Sequence, residues 1–442
     1  MNGTDRLQEL IARARAAGAD TADAMLVAST SIGVQRRLGR TEQLERSESK
    51  DLGLRVFVGK RQAIVSSTTV DPAGFAALAE RAVAMARVVP EDPFAGLAAE
   101  MRPAEAPPLD IEDAREPLVE ALVERASLAE EAALAVPGIT NSEGAEAGYS
   151  RTEVSLVTSA GFAGSYARTN HSVSATALAG SGTAMERDYD YSSAVHLADL
   201  DDAAGLGRVA AERALARLNP TRPKTAKVPV VFAPRVASSI LGHLMGAVNG
   251  AAVARGTSFL RDRMGQRLFA AGIEVRDDPR RARGLRSRPF DGEGVPTAAR
   301  SIIEDGVLTT WLLDSRSARQ LGLQSTGHAG RGTGSPPSPG PSNLLLMPGT
   351  MTPAEIMSDI GEGLYVSELM GGGVNGITGD YSRGASGFMI RNGEIAEAVA
   401  EITIAGTIFD IFLHMTAAND LRLRRGTDSP TVRVEGLTMA GG

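Results

Sequence analysis

From Asp23 to Val70 the chain is built of three long runs, "DAMLVASTSIGVQRRLG", "TEQLERSESKDLGLRVFVG" and "RQAIVSSTTV", in which apolar and polar residues largely alternate. A period of two sends successive side chains to opposite faces, so runs of this length separated by short turns dictate an antiparallel strand series. Helical spacing precedes them in "DRLQELIARARAAG" and returns in "PAGFAALAERAVAMARVV", where Asp71 and Pro72 supply an N-cap and a first-turn proline. Beyond the proline-rich "RPAEAPPLD" the succession recurs. The helix "REPLVEALVERASLAEEAALAV" leads into a second strand series from about Gly138 to Leu197, and "DDAAGLGRVAAERALARL" closes it as a helix. The two blocks share a pattern but no residue-level repeat.

At 442 residues the chain exceeds one ordinary core and is expected to form two domains. The boundary falls in "NPTRPKTAK", Asn219 to Lys227, where prolines and basic residues interrupt ordered patterns. Residues 1–222 then form an α/β domain of two helix-plus-strands blocks, about 1–105 and 106–222, and residues 223–442 a β-rich domain. In the second half "VPVVFAP" reads as a buried strand, followed by a helix with Ile240, Leu241, Leu244 and Val248 on one face. Asp305-Gly306 and Asn392-Gly393 mark tight hairpins. Thr352 to Glu355 forms a capping box, "TIAGTIFDIFLHMTAAND" reads as a last apolar helix, and "TVRVEG" as a final strand. The expected class is α+β.

Several chemistries are excluded by inventory. With no cysteine there are no disulfides, iron–sulfur clusters or thiolate zinc sites. A net charge of −7, with no concentrated basic face, argues against non-specific nucleic-acid binding. The one basic cluster, Arg276 to Arg288, reads as a solvated loop balanced by Asp277 and Asp278. No apolar run reaches the ~18 residues of a membrane span, and a cytoplasmic protein is expected. The five histidines, His171, His196, His243, His328 and His414, form no H-E-x-x-H pair. "GASGF" is not a nucleophile elbow, the phosphate-loop pattern is missing, and "GGGVNG" opens no helix. Two glycine-rich loops stand out as candidate binding elements. Thr326 to Asn343, with five glycines and four prolines, offers His328, Arg331, Gly332 and Asn343; Glu368 to Ile390, with seven glycines, offers Gly372, Gly373 and Asn375.

The two-part N-terminal half, followed in order by "LGHLMGAVNGAAVARGTSFLRDRMG", "PFDGEGVPT", "SPGPSNLLL" and "GVNGITGDYSRGASGFMIRNGEI", resembles the TldD/PmbA family, specifically its PmbA (TldE) branch, over nearly the whole length. The resemblance implies a barrel-like C-terminal half and a heterodimeric cytoplasmic zinc metallopeptidase that degrades unstructured peptides inside a closed chamber. In the TldD branch zinc is held by H-E-x-x-x-H and a later cysteine. Aligned on the shared "GTS" turn at Gly256 to Ser258, those positions are occupied here by Leu241, Gly242, Gly246 and Ile273. None supplies a ligand or base. The resemblance therefore implies a chain with no cofactor of its own, zinc in a TldD-type partner, and chamber loops that hold an unstructured peptide. A self-sufficient hydrolase with an unrecognised site, and a homodimeric peptide-binding protein, are the alternatives.

Overall fold

A computed structural model describes residues 3–102 and 108–441. The link between the two blocks of the first half, residues 103–107, lies outside them. The first block comprises α1 (Gly3–Ala16), β1 (Thr21–Arg37), β2 (Arg40–Val58), β3 (Arg61–Ser67) and α2 (Phe75–Val88). The second comprises α3 (Val119–Leu134), β4 (Ile139–Thr158), β5 (Ala163–Ala179), β6 (Glu186–Ala194) and α4 (Ala203–Ala216). Rather than standing apart, the blocks share a six-stranded sheet in the order β3-β2-β1-β4-β5-β6. β1 and β4 join them antiparallel, from Asp23 opposite Thr158 to Arg36 opposite Ala145. The recurring pattern thus becomes two helix–meander–helix units joined edge to edge.

Alternation decides what each face of this sheet meets. Ala22 and Ala24 of β1 enter the core beneath α1 and α2, and Ile32 and Val34 enter the core beneath α3, so both helix pairs lie on one face. The intervening Asp23 and Met25 point the other way, to Arg331 and Phe290 of the second half. α3 and α4 meet at Gly207, where a Cβ would stand 1.9 Å from the carbonyl oxygen of Ala129.

The second half comprises β7 (Ala226–Phe232), α5 (Pro234–Val248), α6 (Gly250–Ala254), β8 (Val275–Asp277), β9 (Arg300–Glu304), β10 (Val307–Leu308), α7 (Ser315–Leu321), β11 (Ala329–Gly330), β12 (Ser338–Pro339) and β13 (Leu344–Leu346). It ends with α8 (Pro353–Met357), β14 (Glu362–Met370), β15 (Asp380–Arg391), β16 (Glu394–Thr407), α9 (Ile408–Leu413), β17 (Met415–Ala417), β18 (Thr427–Asp428) and β19 (Val432–Ala440). Strands β16-β15-β14-β7-β19 run in sequence, and pairing of β16 with β19 closes them into a five-stranded barrel. Ile240, Leu241 and Leu244 of α5 pack against this barrel in the largest core of the molecule. A smaller sheet, β10-β9-β8-β13-β18, packs into the same core. Both expected hairpins form: Asp305 and Gly306, and Asn392 and Gly393, all have positive φ. The expected last helix is much shorter. Ile402 and Ile404 are buried at a period of two in β16, so "TIAGT" completes the barrel, and only Ile408–Leu413 is helical, capped by Thr407.

Gly207→Ala is expected to destabilise the protein by about 2–3 kcal/mol, because the new methyl meets backbone atoms that cannot swing aside. Urea denaturation measures it; an unchanged midpoint would mean α3 and α4 can separate freely.

Candidate functional site

The edge strand β6 carries the sequence "RDYDYSS", which sends aspartates to one side and tyrosines to the other. Its aspartates and tyrosines are engaged by arginines from surrounding elements. Asp188 accepts from Arg235 of α5 at 2.8 Å and lies 3.5 Å from Arg217, while Asp190 lies 3.1 Å from Arg213 and 2.9 Å from Arg424. The Tyr189 carbonyl accepts from Arg213 and the Tyr191 carbonyl from Arg424, each at 3.1 Å, so the strand edge is closed by guanidinium groups. Arg235 sits 5.2 Å from the Tyr189 ring centre and Arg425 4.5 Å from that of Tyr191. Burial alone would raise the Asp188 carboxyl, but hydrogen bonds and charge from Arg235 and Arg217 hold it below its ordinary value.

Around this edge, between the two halves, opens a cavity of about 1100 Å³. Its walls are β6, the outer face of α4, the start of α5, Tyr365 and Phe388 of the barrel, and the segment from Asp420 to Ser429. A second pocket of about 530 Å³ shares Tyr191, Arg424 and Arg425 with it. Paired ions, aromatic rings and hydroxyls in a space of this size suit a polar, extended ligand.

The residues singled out from sequence lie elsewhere, and none lines either cavity. His328 is buried, its Nε2 3.1 Å from Asp277 and its Nδ1 2.9 Å from Thr326. Arg331 is buried against Asp23 at 2.6 Å. Asn343 is buried, donating to the Asp278 carbonyl at 2.7 Å and to Ser287 Oγ at 2.8 Å. Gly332 is exposed, in a tip that rests on the first sheet: a Cβ on Gly53 would meet the Thr333 carbonyl at 2.2 Å. This loop therefore packs between the halves, with the His328 and Arg331 side chains buried and only its tip, around Gly332 to Pro336, partly exposed. Gly372 and Asn375 are exposed in the β14–β15 connection, with Asn375 Oδ1 accepting from Ile377 N at 2.9 Å; Gly373 closely approaches the Ser382 carbonyl. The basic cluster is likewise not merely solvated. Asp277 is fully buried, accepting from Ser342 N at 2.7 Å, and Arg283 reaches back to Asp110 and Asp199.

The four positions matched to the zinc site lie in two different environments. Leu241 and Ile273 are buried in the main core, whereas Gly242 and Gly246, one turn apart on α5, face open space with nothing within 4 Å of a Cβ. Their side chains offer no donor, so these residues do not fit a zinc ion. His243 is half-buried, edge-on to Tyr381 at 6.1 Å; burial, and then Arg383, lower its pKa and favour the neutral ring. Among the described residues, no three His, Asp or Glu side chains are grouped to hold a metal, and no helix is long and apolar enough to cross a membrane.

Three family models together span most of the chain: PmbA/TldA metallopeptidase domain 1 over residues 22–86, the central domain over 112–218 and the C-terminal domain over 225–441. The chain belongs to the PmbA/TldD metallopeptidase family. It is 39% identical over 96% of its length to metalloprotease PmbA of Escherichia coli O157:H7, covering 92% of that protein. It is 35% identical over 95% of its length to a PmbA homolog of Haemophilus influenzae, again covering 92%. These relatives put it in the PmbA branch. A solved structure of a putative modulator of DNA gyrase from Bacteroides thetaiotaomicron superposes with a TM-score of 0.92 at 26% identity, over 99% of this chain and 98% of that one. TldE from Thermococcus kodakarensis shares the fold, with a TM-score of 0.89 at 20% identity over 99% and 100% of the two chains.

In this PmbA-branch chain, Asp188→Ala leaves Arg235 and Arg217 without their buried partner, and a loss of about 3–5 kcal/mol in stability is expected. The wild-type pair contributes fully above the ordinary carboxylate range and fades as pH falls through the lowered pKa, so the gap between the proteins should narrow in acid. Denaturant midpoints at two pH values measure this; a gap that widens in acid contradicts it. Asp291 behaves oppositely. Burial, then the neighbouring Glu293, pushes its carboxyl up to about 7. The folded chain holds a proton there that the unfolded chain releases near pH ~4, so this group's share of stability falls as pH rises through that window. Wild type is expected to lose ground relative to Asp291→Asn between pH 5 and pH 8, and a pH-independent difference would refute the shift.

Proposed function

We propose that this chain is the PmbA/TldE-like, non-catalytic subunit of a heterodimeric zinc metallopeptidase, in which a cytoplasmic TldD-type partner carries the zinc and the two chains together act on unstructured peptides. The observation that carries this reading is the bare face of α5, where Gly242 and Gly246 present neither a ligand nor a general base to the space they line. When bound in the partner, zinc would supply an activated water for peptide hydrolysis. The residues of this chain position rather than cleave. The cavity between the halves, with Tyr189, Tyr191 and Tyr365 beside paired aspartates and arginines, suits the backbone and polar side chains of an extended peptide. A folded domain would not enter a space of about 1100 Å³, which supports selection of unfolded chains by access.

The test is co-purification with a TldD-type chain, followed by peptide cleavage with each chain alone and with both. The isolated chain is expected to be inactive and to hold far less than one zinc per chain, with cleavage appearing only in the mixture. Chelator-sensitive cleavage by rigorously pure chain would overturn the proposal.

A further inference from the structure

The pocket of about 530 Å³ beside the main cavity differs from it in one respect: no aspartate or glutamate lines it. One wall is the helix-free face of the first sheet. Register places Thr152 opposite Arg168 and Ser150 opposite Asn170, all pointing to this side, and Tyr191 and Ser193 of β6 continue the row. The other wall comes from the second half, with Arg286 from one loop and Arg424 and Arg425 from another. Arg424 is neutralised by Asp190 and Asp201. The other three are not: among the described residues, no carboxylate lies within 4 Å of the guanidinium of Arg168, Arg286 or Arg425. Arg286 donates to Thr427 Oγ1 at 3.1 Å and Arg425 to the Tyr191 hydroxyl, both neutral.

In a chain of net charge −7, three guanidinium groups without a carboxylate partner gathered in one recess form a local field of one sign. Guanidinium forks and hydroxyl donors match the two oxygens of a carboxylate. Tyr191, Arg424 and Arg425 line both this recess and the main cavity, so the two adjoin along β6. We propose that this pocket binds a carboxylate of an extended peptide, either an Asp or Glu side chain or the free C-terminus, and so gives the chain a preference for acidic or C-terminal segments. The peptide in this statement rests on the reading of the chain as a peptide-holding subunit; the preference for a carboxylate rests on the arginines.

The experiment uses the full chain alone, so a failure to find a zinc-bearing partner does not affect it. Three fluorescently labelled unstructured peptides of one length are compared by anisotropy: one with Asp and Glu and an amidated end, one with Asn and Gln and a free C-terminus, and one neutral and amidated. At least one carboxylate peptide is expected to bind about tenfold more tightly than the neutral one, and which of them does so identifies the source. Arg168→Ala and Arg286→Ala are each expected to weaken that binding about tenfold, to leave the neutral peptide unchanged, and to keep the melting temperature of the wild type. Arg168→Lys should restore part of the loss, as a point charge without the fork. Equal binding of all three peptides, no binding of any, or full affinity in the Arg168→Ala, Arg286→Ala double variant overturns the proposal. Inorganic phosphate that displaces the carboxylate peptide at concentrations below that peptide's own Kd would reassign the pocket to phosphate and overturn it equally.

Discussion

The relative placement of the two halves depends on charge buried between them. Asp23 of β1 meets Arg55 of β2 on its own sheet and Arg331 from the β11–β12 loop of the other half, and Glu293 lies 3.7 Å from Arg55. Burial would raise the Asp23 carboxyl, but Arg331 and Arg55 together keep it below its ordinary value. Asp23 is the one ion-pair partner of Arg331 among the described residues, so shifting one half would strand that buried guanidinium at a cost of several kcal/mol. This tolerates little variation in how the sheet meets the barrel. The cavity and the arginine pocket also lie at the junction, lined by residues of both halves.

The division of labour between the faces of the first sheet follows from this arrangement. One face is covered by four helices and can be alanine-rich and dry, as Ala126, Ala129, Ala210 and Ala211 illustrate. The other must meet loops rather than helices. Loops bring backbone carbonyls and long side chains, so polar residues such as Thr152, Asn170 and Ser193 are tolerated there, and gaps remain between irregular surfaces. The smaller recess therefore opens on the loop side, and its chemistry is that of a sheet's polar row set against arginines.

Much of the fold was legible in the sequence because it is written in local periods. Strand alternation, the Asp305-Gly306 and Asn392-Gly393 turns and the Thr352 capping box all survive intact. The apolar run "TIAGTIFDIFLHMTAAND" misled because its spacing fits both periods, and barrel closure by β16 decided the matter. The site was far less legible. Arg213, Arg235 and Arg424 are distant in sequence, and only the fold gathers them around Asp188 and Asp190. "DYDY" and "RLRR" were the local traces of that cluster. Glycine content drew attention instead to a loop whose flexibility is spent on close approach: Gly53 and the Thr333 backbone touch, and Arg331 disappears beneath them.

The α5 helix sets a limit on how simply a metal site could be written back into this chain. Gly242 and Gly246 have open space before them and would accept larger side chains without collision. Leu241 and Ile273 do not share that space, since both are packed in the main core with the barrel strands. A histidine at 241 would place a polar ring among aliphatic neighbours without a hydrogen-bond partner, and a thiolate at 273 would be desolvated where no metal can reach it. Two of the four positions are thus closed by packing rather than by residue identity. Departure from a metal-binding arrangement here extends to which side of the helix faces the core, and four side-chain substitutions do not reverse it.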